Sequence, residues 1–172
     1  WDQETMMPAG SLGDRAEEFA AIEKILYERR SSSELNALLE SVEDLKLEDI
    51  DMRQVQLIRR TFERTIKIPQ DLAVALARFA PKSHAAWVLA RQEDNFSSFK
   101  PILCEMVSLS RQKGAALAEG NNHATYDALL QEYEPDGSSA AITKMFNELR
   151  APLVDLRFAV MQKPILPELT YV

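Results

Sequence analysis

A chain of 172 residues with 46% apolar and 27% charged side chains is long enough for one ordinary core. Its usage excludes a collagenous repeat and low-complexity disorder, and the lone Cys104 excludes a disulfide scaffold and suits a reducing compartment. Twenty basic against 27 acidic residues leave a net charge of −7, which argues against a broad grip on nucleic acid, because phosphate neutralisation needs concentrated Lys and Arg.

With only 5 glycines and abundant Ala, Leu, Glu, Arg and Lys, helix is the expected local structure. From Ser11 to Arg30 the residues Leu12, Ala16, Phe19, Ile22 and Leu26 repeat with the spacing of one helix face, with Ser11 as N-cap and Asp14 and Glu17 at the positive end of the dipole. Ser31-Ser32-Ser33 interrupts that pattern. Ser33 is the expected cap of a short second helix carrying Leu35, Leu38, Leu39 and Val42, and the first two helices are expected to pair as a hairpin. A third helix over 51–67 places Val55, Ile58, Phe62 and Ile66 on one face and Arg53, Arg60, Arg64 and Lys67 on the other, and Pro69 ends it.

Leu72, Leu76, Phe79, Trp87 and Ala90 mark a fourth helical segment that Pro81 is expected to bend or split near Ala80, since proline removes a backbone hydrogen bond and clashes with the preceding turn. Asp94-Asn95-Phe96-Ser97 supplies caps for a fifth helix, with Pro101 in its first turn and an inner row of Leu103, Met106, Ser110, Gly114 and Leu117. Gly120-Asn121-Asn122 is a turn, and Tyr126 to Tyr133 forms two helical turns that Glu134-Pro135-Asp136-Gly137 stops. Ser138 or Ser139 caps a last helix bearing Ile142, Phe146, Leu149, Leu153, Leu156 and Val160, expected to bend at Pro152. The predicted fold class is all-α: antiparallel helical hairpins and a bundle of about six to eight helices over 1–172.

Chemistry-bearing constellations are missing from this pattern. His84 and His123 lie 39 residues apart and share no helical face for a zinc ion; His84, three residues before Trp87, is expected to pack on that ring. Cys104 falls beside the inner row with no histidine close in sequence, so it is expected to be a buried, inert thiol. Neither a Gly-rich phosphate loop nor a Gly-x-Ser-x-Gly elbow occurs. The Arg53, Arg60, Arg64, Lys67 stripe is read as the solvated face of an amphipathic helix in preference to an anion site, and Asp2 and Glu4 as residues that cap or solvate the helix they precede. No catalytic, cofactor-binding or metal residue is assigned. No run approaches 18 consecutive apolar residues, and Trp1-Asp2-Gln3-Glu4 has neither the basic start nor the apolar middle of a signal peptide, so a cytoplasmic protein without membrane contact is expected.

The string Trp1-Asp2-Gln3-Glu4-Thr5-Met6-Met7-Pro8 resembles the N-terminal motif of the carboxypeptidase Taq family of metallocarboxypeptidases. The likeness continues through Arg15-Ala16-Glu17, through His84-Ala85-Ala86-Trp87 with Arg91, Asn95-Phe96, Phe99 and Pro101, and through Tyr126-Asp127-Ala128-Leu129-Leu130 to Glu132-Tyr133-Glu134-Pro135. Two positions depart from it: Asp136 stands where the family often has glycine, and Pro81 falls in what is a continuous helix in relatives. The resemblance implies a parent enzyme that is cytosolic, mostly helical and saddle-shaped, that removes C-terminal residues from peptides, and that uses a divalent metal, zinc or cobalt, held by a His-Glu-x-x-His motif and a distant glutamate. Those ligands have no counterpart here, so by resemblance the chain is expected to be an N-terminal portion, inactive and metal-free by itself, that walls or covers the substrate groove. Trp1 to Thr5 either approach that groove or anchor the first helix. A chain that starts without Met and ends at Val172 reads as an excerpt, whose last helix lacks its cover; the missing catalytic portion and a second copy are the expected partners. A stand-alone helical protein-interaction module is the alternative reading.

Overall fold

A computed structural model describes residues 5–119 and 124–163. Seven α-helices and no strand occur among them: α1 (Leu12–Arg30), α2 (Ser33–Ser41), α3 (Asp49–Lys67), α4 (Gln70–Gln92), α5 (Phe96–Ala118), α6 (Thr125–Leu130) and α7 (Ser139–Met161), with a 3-10 turn at Ala9–Ser11 leading into α1. The all-α expectation holds. The chain divides into two compact units, Trp1–Thr125 and Tyr126–Val172.

In the first unit the longest interface joins α1 to α4, and the next joins α4 to α5. Small residues make the first possible: Ala16 and Ala20, one turn apart on α1, are both buried. Glu17 pairs with Arg78 at 2.9 Å, and Gln70 donates to Glu28 at 3.4 Å, so the two helices run antiparallel. The hairpin expected between the first two helices is therefore replaced, as the partner of α1, by a helix some 60 residues along the chain. The α2 helix is tied to α3, where the Arg59 guanidinium donates to the Leu39 carbonyl and meets Glu43, both at 2.7 Å.

Three further expectations are corrected. Ser32, not Ser33, caps α2: it is extended at φ −69°, ψ 148°, and its hydroxyl accepts from the Leu35 amide three residues on. Ser11 makes no side-chain cap bond: at φ −89°, ψ 4° its backbone lies outside the extended region that aims an N-cap hydroxyl at the amides of the first turn. Cys104 is exposed. The row of α5 that turns inward holds the buried Gly114 and Leu117 with the half-buried Met106 and Ser110, and Cys104 lies on the opposite side of the helix from Met106.

The α3 stripe also departs from a purely solvated face. Arg60, Arg64 and Lys67 are half-buried, whereas Ile58 and Ile66 of the predicted inner face are 46% and 50% exposed. Long basic side chains cover protein surface with their methylene stems while the charged ends stay accessible, so a basic face is not the same as an unpacked one.

Of the bend or split expected near Ala80, the split does not occur: α4 continues from Gln70 to Gln92 with Pro81 buried inside it. Pro81 lacks the amide that would bond to the Ala77 carbonyl, while the buried Ser83 hydroxyl lies 3.0 Å from the carbonyls of Phe79 and Ala80. Pro81→Ala restores the amide but gives up buried ring methylenes worth about 0.8 kcal/mol each, against a helix-interior proline cost of about 3 kcal/mol. The variant is expected to unfold at the same or a slightly higher urea concentration. A midpoint lowered by more than about 1 kcal/mol equivalent contradicts that balance.

In the second unit, Ala128 of α6 is buried, and the Asp127 carboxylate accepts from the Ser139 amide at 2.9 Å. Ser138 caps α7 by accepting from the Ala141 amide at 3.2 Å. The α7 helix continues through Pro152 and buries none of its residues.

Candidate functional site

The first unit brings a group of motif residues together where α4 turns into α5. His84, Trp87 and Arg91 are spaced three and four residues apart along the end of α4, so they share one side of the helix. His84 and Trp87 are in ring contact, with centroids 5.9 Å apart and planes inclined at 31°, as their spacing predicts. Asp94 then takes φ 50°, a left-handed conformation that Asp tolerates better than most residues, and the chain reverses within two residues. The Asn95 amide donates to the Ala90 carbonyl at 2.8 Å, while its side-chain oxygen accepts from the Ser98 amide at 3.2 Å and starts α5.

The reversal forms a pocket of about 200 Å³ lined by Trp87, Ala90, Arg91, Asp94, Asn95, Phe96 and Phe99. Three aromatic rings beside one guanidinium and one carboxylate suit an apolar group with a polar neighbour. A second cavity, about 300 Å³, lies among Arg30, Leu35, Leu57, Ile58, Thr61 and Phe62. Sequence reading missed it because it depends on α2 and α3 converging on the end of α1.

Near the amino end, Met6, Met7, Pro8, Ser11, Asp14, Arg15 and Glu18 line a polar cavity of about 270 Å³, and Arg15 is paired with Glu18 at 3.0 Å. The expectations for Trp1, Asp2 and Glu4 fall outside the described residues, as do those for Gly120-Asn121-Asn122 and His123.

In the second unit the motif Glu132-Tyr133-Glu134-Pro135 forms the turn after α6, which ends at Leu130. The Gln131 side chain spans that turn: its oxygen accepts from the Asp136 amide at 2.9 Å and its nitrogen donates to the Gly137 carbonyl at 2.8 Å. Asp136 has φ 66°, which explains why glycine suits this position. Glycine at 137 answers a different need, since a Cβ there would sit 2.6 Å from Glu134 Cγ and 3.2 Å from the Glu134 carbonyl oxygen. Asp136→Gly is expected to stabilise the chain by up to about 1 kcal/mol, and Gly137→Ala to destabilise it, both measurable as shifts of a urea midpoint.

Among the described residues no group of three or more His, Cys, Asp or Glu side chains is placed to hold a metal ion, so the donor set here does not fit the metal that the resemblance implies. No helix among them is long and apolar enough to cross a membrane.

Comparison with known proteins agrees with this geometry. The chain is 32% identical to thermostable carboxypeptidase 1 of Thermus thermophilus, over 91% of this chain and 33% of that one. It is 25% identical to thermostable carboxypeptidase 1 of Pyrococcus furiosus, over 97% and 33%. Its fold matches the crystal structure of BsuCP with a TM-score of 0.85 at 24% identity, covering 98% of this chain and 34% of that one. It also matches metallocarboxypeptidase 1 of Trypanosoma cruzi with a TM-score of 0.73 at 24% identity, covering 98% and 35%. The chain thus spans about a third of the length of these relatives. The family model described as Carboxypeptidase Taq (M32) metallopeptidase matches residues 1–171, and the chain accordingly belongs to the carboxypeptidase Taq family of metallopeptidases.

Proposed function

We propose that this chain is the N-terminal helical portion of a cytoplasmic, metal-dependent carboxypeptidase that releases C-terminal residues from peptides, that it walls the substrate groove, and that it has no activity by itself. The observation that carries the reading is the family match over residues 1–171 combined with coverage of only a third of the relatives' length. The divalent ion, zinc or cobalt, is assigned to the remaining two thirds, since metal catalysis needs a ligand set that the described residues do not assemble. The groove-wall role rests on the concave, aromatic-lined α4–α5 corner, where the motif residues converge.

The test is a release assay with N-blocked peptides, in which the purified chain is supplied with zinc or cobalt. No C-terminal residue is expected to appear, whereas the longer enzyme carrying the same residues releases it. Metal-dependent turnover that persists through further purification of the chain overturns the assignment. A stand-alone interaction module remains the competing class; it has no reason to match a metallopeptidase family along its whole length.

A further inference from the structure

On α7, Ile142, Phe146, Leu149, Leu153, Leu156 and Val160 are separated by four, three, four, three and four residues, a heptad alternation, with Met145, Val154, Phe158 and Met161 as further exposed apolar residues outside it. Of these only Ile142 is half-buried; Phe146, Leu153 and Leu156 are 60%, 55% and 60% exposed. A seam of this period fits another helix, whose side chains enter the holes between successive turns, better than a sheet or an irregular surface.

The flanks of the seam indicate which helix. With Phe146, Leu153 and Val160 at a and Ile142, Leu149 and Leu156 at d, the e positions are Thr143, Arg150 and Arg157 and the g positions are Met145, Pro152 and Ala159. Arg150 and Arg157 are exposed. A second copy offers them no acidic residue at e or g: parallel pairing sets them against Met145 and Pro152, and antiparallel pairing sets arginine against arginine. The acidic residues of α7 on this side, Glu148 and Asp155, stand at c, outside the g row.

We propose that the α7 seam is the docking face for an apolar-heptad helix with acidic flanks, contributed by the remaining two thirds of the enzyme. The assignment of that helix to the same polypeptide rests on the functional reading above and on the chain spanning a third of its relatives. The chemistry of the partner rests on α7 alone.

The probe is a pair of designed helical peptides with Leu at a and d, one with Glu and one with Lys at every e and g position, so that neither self-associates. Titrated into the isolated chain, the Glu peptide is expected to bind at least tenfold tighter than the Lys peptide, because two charge contacts change sign. Arg150→Glu combined with Arg157→Glu, both at exposed positions, should reverse the preference, and Leu153→Glu should abolish both affinities, with circular dichroism reporting an unchanged helix content. The two-peptide comparison on the unaltered chain stands even where a variant misfolds. Equal affinities, no binding of either peptide, or a homodimer that Leu153→Glu dissociates overturns the proposal. In the longer enzyme the double arginine reversal should lower the thermal midpoint; an unchanged midpoint places the partner outside the polypeptide and overturns that part. No turnover is read in the peptide titration, so its failure is distinct from failure of the release assay.

Discussion

Leu117→Ala is expected to cost about 2–5 kcal/mol, because deleting a buried leucine removes its transfer free energy and leaves a cavity that neighbours fill only in part. Leu117 is 3% exposed and sits one turn beyond the buried Gly114 on the inward row of α5, which packs on α4 and touches α3. Such a loss is a large share of the stability of an ordinary domain, about 5–15 kcal/mol. A urea titration followed by circular dichroism reads it as a lowered midpoint. Leu103→Ala, on the same helix but 37% exposed, should shift the midpoint far less. Equal losses at the two positions contradict the assignment of the inward row.

The second large effect is expected at Ala16, which has no exposed surface and faces α4 together with Ala20 at 3%. Packed helices stand about 8–10 Å apart, the lower end requiring small residues at the contact. Ala16→Leu inserts a branched side chain where no room exists and is expected to cost about 1–3 kcal/mol through displaced backbone and off-rotamer packing. Ala21→Leu is the matched control: Ala21 is exposed, so the same substitution further along the same helix, turned about 140° away from Ala16, should stay within about 0.5 kcal/mol. Loss of the Glu17–Arg78 pair by Arg78→Ala should be small as well, since both side chains are well solvated.

Local structure was legible because the signals that start and stop helices are themselves local. The apolar period from Leu12 to Leu26, the Asn95 cap and the Ser138 cap each involve residues within one turn of one another, and α1, α5 and α7 lie where those signals place them. The ring contact of His84 with Trp87 belongs to the same class, being fixed by a three-residue spacing on one helix. The left-handed turn at Asp136 was marked in sequence by the departure from glycine, although its angle became visible only in the structure.

What the sequence by itself determined about this protein is therefore its helices, most of their ends and the family whose motifs they carry. Only the tertiary structure decided that α1 pairs with α4 instead of α2, that α4 continues through Pro81, that Cys104 faces outward, and that Arg60 and Arg64 of α3 are half-buried. It also decided that three aromatic rings and Arg91 line one pocket. Periodicity names the apolar face of a helix but not the neighbour that covers it. That choice depends on shape: on Ala16 and Ala20 permitting a close approach. Such contacts join residues tens of positions apart and leave no repeating mark on the chain.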